Sequence, residues 1–361
     1  MKITKFRHRV VSVPAKYPVV SSVRDSSHIV FVLLDVFTNE GITGISYAQA
    51  FHIHGAQAIK ACLNYLEELL KGEDARNIEK IWHKMWEATK LLGHQGLSTF
   101  AISLVDIALW DLFGKKEDVP VYKLLGGQPG SFNAYQSDGL WLISPLEAAR
   151  QAEHIVDTGF NSVKMRLGRK CLEEDLKAIF EVRRVIGENI ELLCDVNQGW
   201  TVEKTKALGD QLIENGINWL EEPIQAEAVE EYKYLSNTLD VQIATGENLY
   251  GCRPFHRFLQ SNAASVYTPD LQRIGGISGW RRINSLMENY NQPSTLHLFP
   301  EYAIHLLPII KNAKKLEWTT WASPLFKNPL QCINGVVQTP HGSGFCLEWD
   351  DDTILEYQIT S

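Results

Sequence analysis

At 361 residues, with 45% hydrophobic and 22% charged content, the chain has the composition of an ordinary globular protein. Its length suits about two domains, or one barrel with additions. A formal net charge of −8 argues against nucleic acid or an anionic membrane as the main partner. The six cysteines, Cys62, Cys171, Cys194, Cys252, Cys332 and Cys346, are scattered and include no CxxC pair, which fits reduced thiols in a cytoplasmic protein. The first residues alternate like a strand and carry no signal-like apolar region, and no uninterrupted apolar run approaches the roughly 20 residues of a membrane span.

In chain order, strand-like runs come first, Thr4 to Val13 and Ile29 to Phe37. The turn Thr38-Asn39-Glu40-Gly41 leads to a third, Ile42 to Ala48, giving an antiparallel meander. Residues 17–28, between the first two runs, read as a loop. Helical patterns follow at 55–72, 77–90 and 96–115, so residues 1–125 form a separate α+β domain. The turn-rich Leu124-Leu125-Gly126-Gly127-Gln128-Pro129-Gly130 marks its boundary.

From Phe132 strands alternate with helices. Strand candidates are 132–137, 161–166, 190–195, 217–221, 241–246, 265–268, 294–298 and 315–319, with helical periodicity between them, as at Leu172 to Val185 and Val202 to Glu214. Eight strands is the barrel number, so residues 126–330 read as a TIM-type β/α barrel. An open doubly wound sheet binding a dinucleotide would carry GxGxxG, and Gly275-Gly276 is too weak a trace of one. The tail, 331–361, has strand-like runs at Val336 to Gln338 and Phe345 to Trp349 and is expected to pack back on the N-terminal domain.

Acidic residues close the middle strands at near-equal intervals. Asp195, Glu221 and Glu247 are 26 residues apart (195 to 221, 221 to 247); Asp270 follows 23 later and His297 another 27. A strand, a helix and two loops take about that many residues, which puts each acid at the carboxyl end of a successive strand, the catalytic face of a barrel. Any one acid could cap a helix or pair with Lys or Arg. Three converging there repel one another unless a cation is present. An oxygen-only set suits a hard cation, and Mg²⁺ keeps positions open for water or substrate. Glu222 adjoins Glu221, but strand neighbours point oppositely, so only one is expected to face the site.

Lys164 and Arg166 end the second barrel strand and share a face. They could balance the acids, bind an anion or, for the lysine, carry a proton. Asn197, two residues after Asp195, would face the site as a neutral hydrogen-bonding group. Asp270 and His297 end successive strands; a carboxylate on one ring nitrogen raises the basicity of the other, which makes a general base or acid. Glu317 ends the eighth strand, either as a protonated donor near a carboxylate site or as an ordinary surface glutamate. His52 and His54 lack partner ligands and read as a loop feature. His305 reads as a local helical pair with Glu301.

These motifs make the chain resemble the enolase superfamily, mandelate racemase subgroup, over nearly its whole length. The resemblance rests on Tyr17-Pro18-Val19-Val20, the helices that follow, Lys164-x-Arg166, Asp195-x-Asn197, Trp219-Leu220-Glu221-Glu222-Pro223, Gly246-Glu247-Asn248, Asp270 through Gly276, His297-Leu298-Phe299 and Leu316-Glu317. It implies a modified β/α barrel under an N-terminal α+β capping domain completed by the C-terminal tail. It implies Mg²⁺ on Asp195, Glu221 and Glu247, a dyad of His297 and Asp270, and Glu317 as an acid donor to an enolate. Sites of this superfamily are known to remove a proton α to a carboxylate with a Lys or His base while Mg²⁺ stabilises the intermediate. A homo-oligomer is also expected.

One position departs from the racemase pattern. Its second lysine, a base, is Arg166 here, and arginine stays protonated up to about pH 12. Two-base racemisation then needs Lys164, whereas Arg166 suits a bidentate clamp for a carboxylate or hydroxyls. Loss of a β-hydroxyl needs one acid/base, His297, and yields a 2-keto-3-deoxy acid. In the 17–28 loop, Arg24, Asp25 and the serines suit a polyol or diacid, and Val19, Val20 and Val23 an aryl group; the polar reading is preferred. Trp141 would add a wall. The expectation is therefore a Mg²⁺-dependent dehydratase of an acid sugar. The alternatives are an α-hydroxy-acid racemase or epimerase and, from another class, an inactive anion-binding barrel.

Overall fold

The computed structural model describes residues 1–359. Val, Ile and Phe recur through the first fifty positions and form three antiparallel strands, β1 (Ile3–Val20), β2 (Asp25–Thr38) and β3 (Thr43–Gln49), in that order. Residues 17–28 are therefore not a loop. Val19 pairs with Ser26 and Val20 with Asp25, and only residues 21–24 turn. Pro18 and the serines favour turns in isolation; cross-strand pairing overrides them. The ribbon tip is tied to the barrel, where Leu142 N donates to Val20 O (2.8 Å) and Ser22 Oγ donates to Asn197 O (2.9 Å).

Helices α1 (Ile53–Leu70), α2 (Ile78–Ala88) and α3 (Leu97–Lys116) lie where the periodicity places them. α3 is long and apolar enough to cross a membrane by composition, yet 89% of that stretch is buried inside the protein. It is a core helix between the strands and the barrel. Its packing on β3 is so close that a Cβ on Gly44 would stand 2.1 Å from Ala108 O.

The barrel strands are β4 (Ser131–Gln136), β5 (Ser162–Arg166), β6 (Glu191–Asp195), β7 (Ile217–Glu221), β8 (Gln242–Thr245), β9 (Val266–Tyr267) and β10 (Leu316–Trp318). They are parallel neighbours in sequence order from β4 to β9, and β10 returns to pair with β4. The expected strand at 294–298 is reduced to bridges, Tyr267 to Ser294, Asp270 to His297 and Ser294 to Ala313, which link β9 toward β10. Left-handed backbone at Leu298 and Phe299 (φ 53° and 50°) ends that segment. The expected helix Val202 to Glu214 is two helices, Val202–Ala207 and Gly209–Glu214. The architecture is a modified β/α barrel with an N-terminal α+β domain.

The tail divides. β11 (Cys332–Ile333) and β12 (Val336–Gln338) form a hairpin on β4, so this part packs on the barrel and not on the N-terminal domain. From Gly344 onward the chain returns to that domain: Trp349 Nε1 donates to Asp35 Oδ1 (3.0 Å), Arg9 pairs with Asp351 (2.7 Å), and Val11 bridges Gln358. Phe345 to Trp349 is not a strand, and Asp351–Tyr357 is a helix capped by Asp350.

Asp111 on α3 joins these parts. Its carboxylate accepts from Ile45 N on β3 and Phe345 N on the tail, each at 2.9 Å, and pairs with Lys115. Asp111→Ala would orphan two buried N–H groups, each costing about 1–3 kcal/mol. The expected outcome is a clear fall in the urea midpoint; an unchanged midpoint would show that the tail and sheet do not depend on this residue.

Candidate active site

β-Sheet register builds the site. Arg166 lies beside Asp195 and Asp195 beside Glu221 on adjacent strands, while Glu317 lies beside Tyr135. Glu247 is one residue past Gly246, whose φ of 137° turns the chain inward and whose missing Cβ would meet Thr268 N at 3.0 Å. Asp195, Glu221, Glu247 and Glu317 are all buried, as is Lys164.

Lys164 is the centre of this group. Its Nζ lies 2.6 Å from Glu317 Oε1, 3.1 Å from Glu221 Oε2 and 3.8 Å from Asp195 Oδ2. Burial alone would strip its charge, but the carboxylates of Glu221, Glu317 and Asp195 outweigh burial and hold it above the ordinary lysine range. It is an ammonium in this state and not a base.

Glu317 departs from the expected protonated donor. Both its oxygens accept, from Ser137 Oγ (2.7 Å), Lys164 Nζ and Leu298 N (2.8 Å). Burial pushes its pKa up, but the charges of Lys164 and His297 and these hydrogen bonds prevail, so it is an ionised carboxylate. Arg166 is not an open clamp either. Its Nη1 donates to Ser137 O (2.8 Å), its Nη2 to Ser137 Oγ (2.9 Å), and its guanidinium stacks 4.1 Å over the Trp141 ring. Nε alone lacks a hydrogen-bond partner and lies 3.7 Å from Asp195.

Asp270 caps the turn Leu271–Ile274 through Gln272 N (2.7 Å) and also accepts from Arg273 Nη1 (2.7 Å). Its Oδ2 is 2.7 Å from His297 Nδ1. Burial would raise the Asp270 pKa; Arg273 and His297 lower it. An ionised Asp270 can only accept, so Nδ1 carries the proton and Nε2 faces the site, 3.4 Å from Glu247 Oε2. Burial lowers the His297 pKa, but Glu247 and Asp270 raise it to about 9.

Two expectations, for Glu222 and His305, need correction. Glu222 does not point away. The strand ends at Glu221, Glu222 has φ 37°, and its buried carboxyl reaches Asn248 Nδ2 at 2.6 Å, where burial and Glu247 push its pKa well up. Asn197 likewise lies past the strand, in left-handed backbone (φ 45°), yet still reaches the site and bonds Asp195 Oδ2 (3.0 Å). His305 is not paired with Glu301. It is neutral and buried between Tyr122 N and Phe345 O, whereas Glu301 accepts from Tyr47 OH.

Above these groups is a cavity of about 590 Å³, roofed by the β1–β2 tip. Arg24, Asn197 and Trp141 all line it, as expected. So do residues that the sequence reading missed: Asn248, Arg273, Trp321 and His52, the last of which caps α1 by accepting from Gly55 N. The adjacent Gly246-Glu247-Asn248 and Asp270 to Arg273 runs held the only signal for Asn248 and Arg273. Ser137 had none.

As placed, the acids surround Lys164, and among the described residues no three His, Cys, Asp or Glu side chains stand close enough to hold an ion. The donor chemistry nevertheless fits Mg²⁺. Glu221 Oε1 and Glu247 Oε2 are buried without a hydrogen-bond donor, and Asp195, Glu221 and Glu247 offer oxygen only. Burial, Asp195 and Glu247 push Glu221 up to about 8 against the pull of Lys164. Ligation needs the carboxylate, so metal-free protein at pH 7 should release protons on taking up Mg²⁺, and apparent affinity should rise with pH toward 9. Calorimetry in buffers of differing ionisation heat measures this. Affinity independent of pH between 6 and 9 would remove Glu221 from the ligand set.

The family model "Mandelate racemase / muconate lactonizing enzyme, N-terminal domain" matches residues 4–126, and "Enolase C-terminal domain-like" matches 147–353. The chain is 30% identical to the L-talarate/galactarate dehydratase of Salmonella typhimurium, covering 89% of this chain and 81% of that one. It is 30% identical to the arabinonate dehydratase of Saccharolobus solfataricus, covering 91% of each. An N-succinyl-L-Arg/Lys racemase of Bacillus cereus is 30% identical over 77% of this chain and 74% of its own. A crystal structure of an enolase from alpha pretobacterium bal199 with bound Mg superposes with a TM-score of 0.96, at 31% identity and 99% coverage of both chains.

Proposed function

Because the chain belongs to the mandelate racemase/muconate lactonizing enzyme family of the enolase superfamily, we propose that it is a Mg²⁺-dependent dehydratase of an acid sugar, an aldonate or a diacid, yielding a 2-keto-3-deoxy acid. The observation that carries this reading is the asymmetry of the site. Among the described residues, His297 alone has an orienting carboxylate on one ring nitrogen and turns the other toward the site, while Lys164 is held charged and Arg166 is tied to Ser137. One acid/base suffices for dehydration and falls short of two-base racemisation.

In this proposal Asp195, Glu221 and Glu247 would hold the metal. Mg²⁺ there would supply positive charge to stabilise a developing enediolate and would offset the Glu247 charge that otherwise keeps His297 protonated. Lys164 places its ammonium against the same carboxylate as negative charge develops. His297 Nε2 takes the α-proton, then returns it to the departing β-hydroxyl, which leaves as water; the enol becomes the 2-keto acid. Asp270 keeps the ring in the required tautomer. A substrate anion drawing on Lys164 weakens its hold on Glu317 and favours a proton there, as donation to the enolate requires. Arg24, Asn197, Asn248 and His52 line the cavity and suit hydroxyls or a second carboxylate.

A second reading, a racemase or epimerase of an α-hydroxy acid, is favoured by apolar lining, Val19, Val23, Phe51 and the stacked Trp141 and Trp321. The intact dyad speaks against an inactive barrel. The adjoining exposed Leu91 and Leu92 support a homo-oligomer, which light scattering would measure. The free cysteines are in keeping with a cytoplasmic setting.

Screening acid sugars with Mg²⁺ should reveal keto-acid formation, abolished by chelator or by Glu221→Gln. Deuterium uptake from D₂O with no keto product from any acid would favour the racemase. His297→Asn should reduce both α-proton exchange and product formation by about 10²-fold or more. Exchange at the original rate would assign the base to Lys164.

A further inference from the structure

A larger cavity, about 720 Å³, lies outside the active site, between α2, the loop after it, and the helices Cys252–Ser261 and Gly276–Asn289. It shares no lining residue with the active-site cavity. One wall is a four-layer column. The Arg282 guanidinium lies 4.2 Å over Trp82, Trp82 stacks on Trp86 at 4.7 Å, and Trp86 stacks on His94 at 3.7 Å. The column thus has the Arg282 cation at one end and an imidazole at the other.

The charge around this cleft is one-sided in a chain of net charge −8. Lys90, Arg253, Arg257 and Arg282 line it against the single carboxylate of Glu87. Glu87 is paired with Lys90 at 3.3 Å, and Arg282 with Glu79 at 2.6 Å. Arg253 and Arg257 have no ion pair or hydrogen bond among the described residues. Four apart on one helix, they share a face, where like charges repel. Two unpaired forks side by side, opposite a lysine and a histidine, make a poor structural network and a good receptor for oxyanions.

We propose that this cleft binds a small multivalent oxyanion, a phosphate or a polycarboxylate, between Arg253, Arg257 and the His94 end of the column. The cleft backs on the segment that carries the dyad aspartate. Gly251 N donates to Arg273 O (3.3 Å), Trp82 Nε1 donates to Gly275 O (2.8 Å), and Arg273 holds Asp270. The site does not depend on which reaction the barrel performs.

The test is calorimetric titration of the Mg²⁺-loaded protein with inorganic phosphate and, separately, with propane-1,2,3-tricarboxylate, which tells a phosphate site from a carboxylate site. At least one should bind saturably with a Kd of about 1 mM or tighter. Arg253→Ala/Arg257→Ala should weaken that binding about tenfold or more, since each lost charged hydrogen bond is worth that much. Both arginines are exposed and unpaired, so the double variant should keep the thermal midpoint of the parent. Glu221→Gln, which acts only in the barrel mouth, should leave the binding unchanged. Absence of saturable binding by both anions, binding unaltered in the arginine variant, or binding lost in Glu221→Gln would each overturn the proposal.

Discussion

Carboxylates buried side by side are the constraint on which the rest of this structure depends. Asp195, Glu221, Glu222, Glu247 and Glu317 are withdrawn from water at one end of a barrel. Such a group cannot stay fully ionised without cations in contact, because burial and mutual repulsion both favour protons. The protein answers with Lys164 at the centre. Glu317, against Lys164 and near His297, is driven down despite its burial; Glu221, although it also touches Lys164, is driven up to about 8 by burial and the neighbouring acids. The two orphaned oxygens on Glu221 and Glu247 show that one lysine does not satisfy the whole set. A divalent cation would do so, and would release His297 to act as a base.

Around this charge balance the scaffold is arranged to fix side chains one by one. Arg166 is held by Ser137 and Trp141, Asp270 by Arg273 and a helical turn, and His297 by Asp270. Each group is held by several contacts, which is what preorganised electrostatics require. The N-terminal domain supplies the roof, and its β-ribbon reaches the barrel through Ser22 and Val20. The cavity therefore belongs to both parts of the chain, with the acids and His297 on the barrel and Arg24, Val19 and Phe51 on the roof.

Much of this was legible in the sequence, for identifiable reasons. The spacing of Asp195, Glu221, Glu247, Asp270 and His297 survives folding because barrel strands and their connections have nearly constant length. Period two put Lys164 and Arg166 on one face. The failures lie where that regularity stops. Glu222 and Asn197 fall beyond strand ends, where left-handed backbone replaces alternation. The ribbon at 17–28 depends on pairing between segments, which local turn propensity does not reveal. Ser137 and the ionised state of Glu317 depend on contacts between β4, β5 and β10, far apart in sequence. The tail was half legible: Val336–Gln338 is a strand, but its partner is β4 and not the N-terminal sheet.

In the proposed mechanism one histidine serves as both base and acid, while Lys164 and Arg166 are held as cations. A single imidazole reaches only one face of the substrate. The most direct measurement is the relative configuration at the second and third carbons of an acid sugar that the protein dehydrates, read from product formation with paired diastereomers. The α-proton and β-hydroxyl should leave from the same face. A product formed only from the diastereomer in which they leave from opposite faces would contradict this mechanism and place a second working acid or base at Lys164 or Arg166.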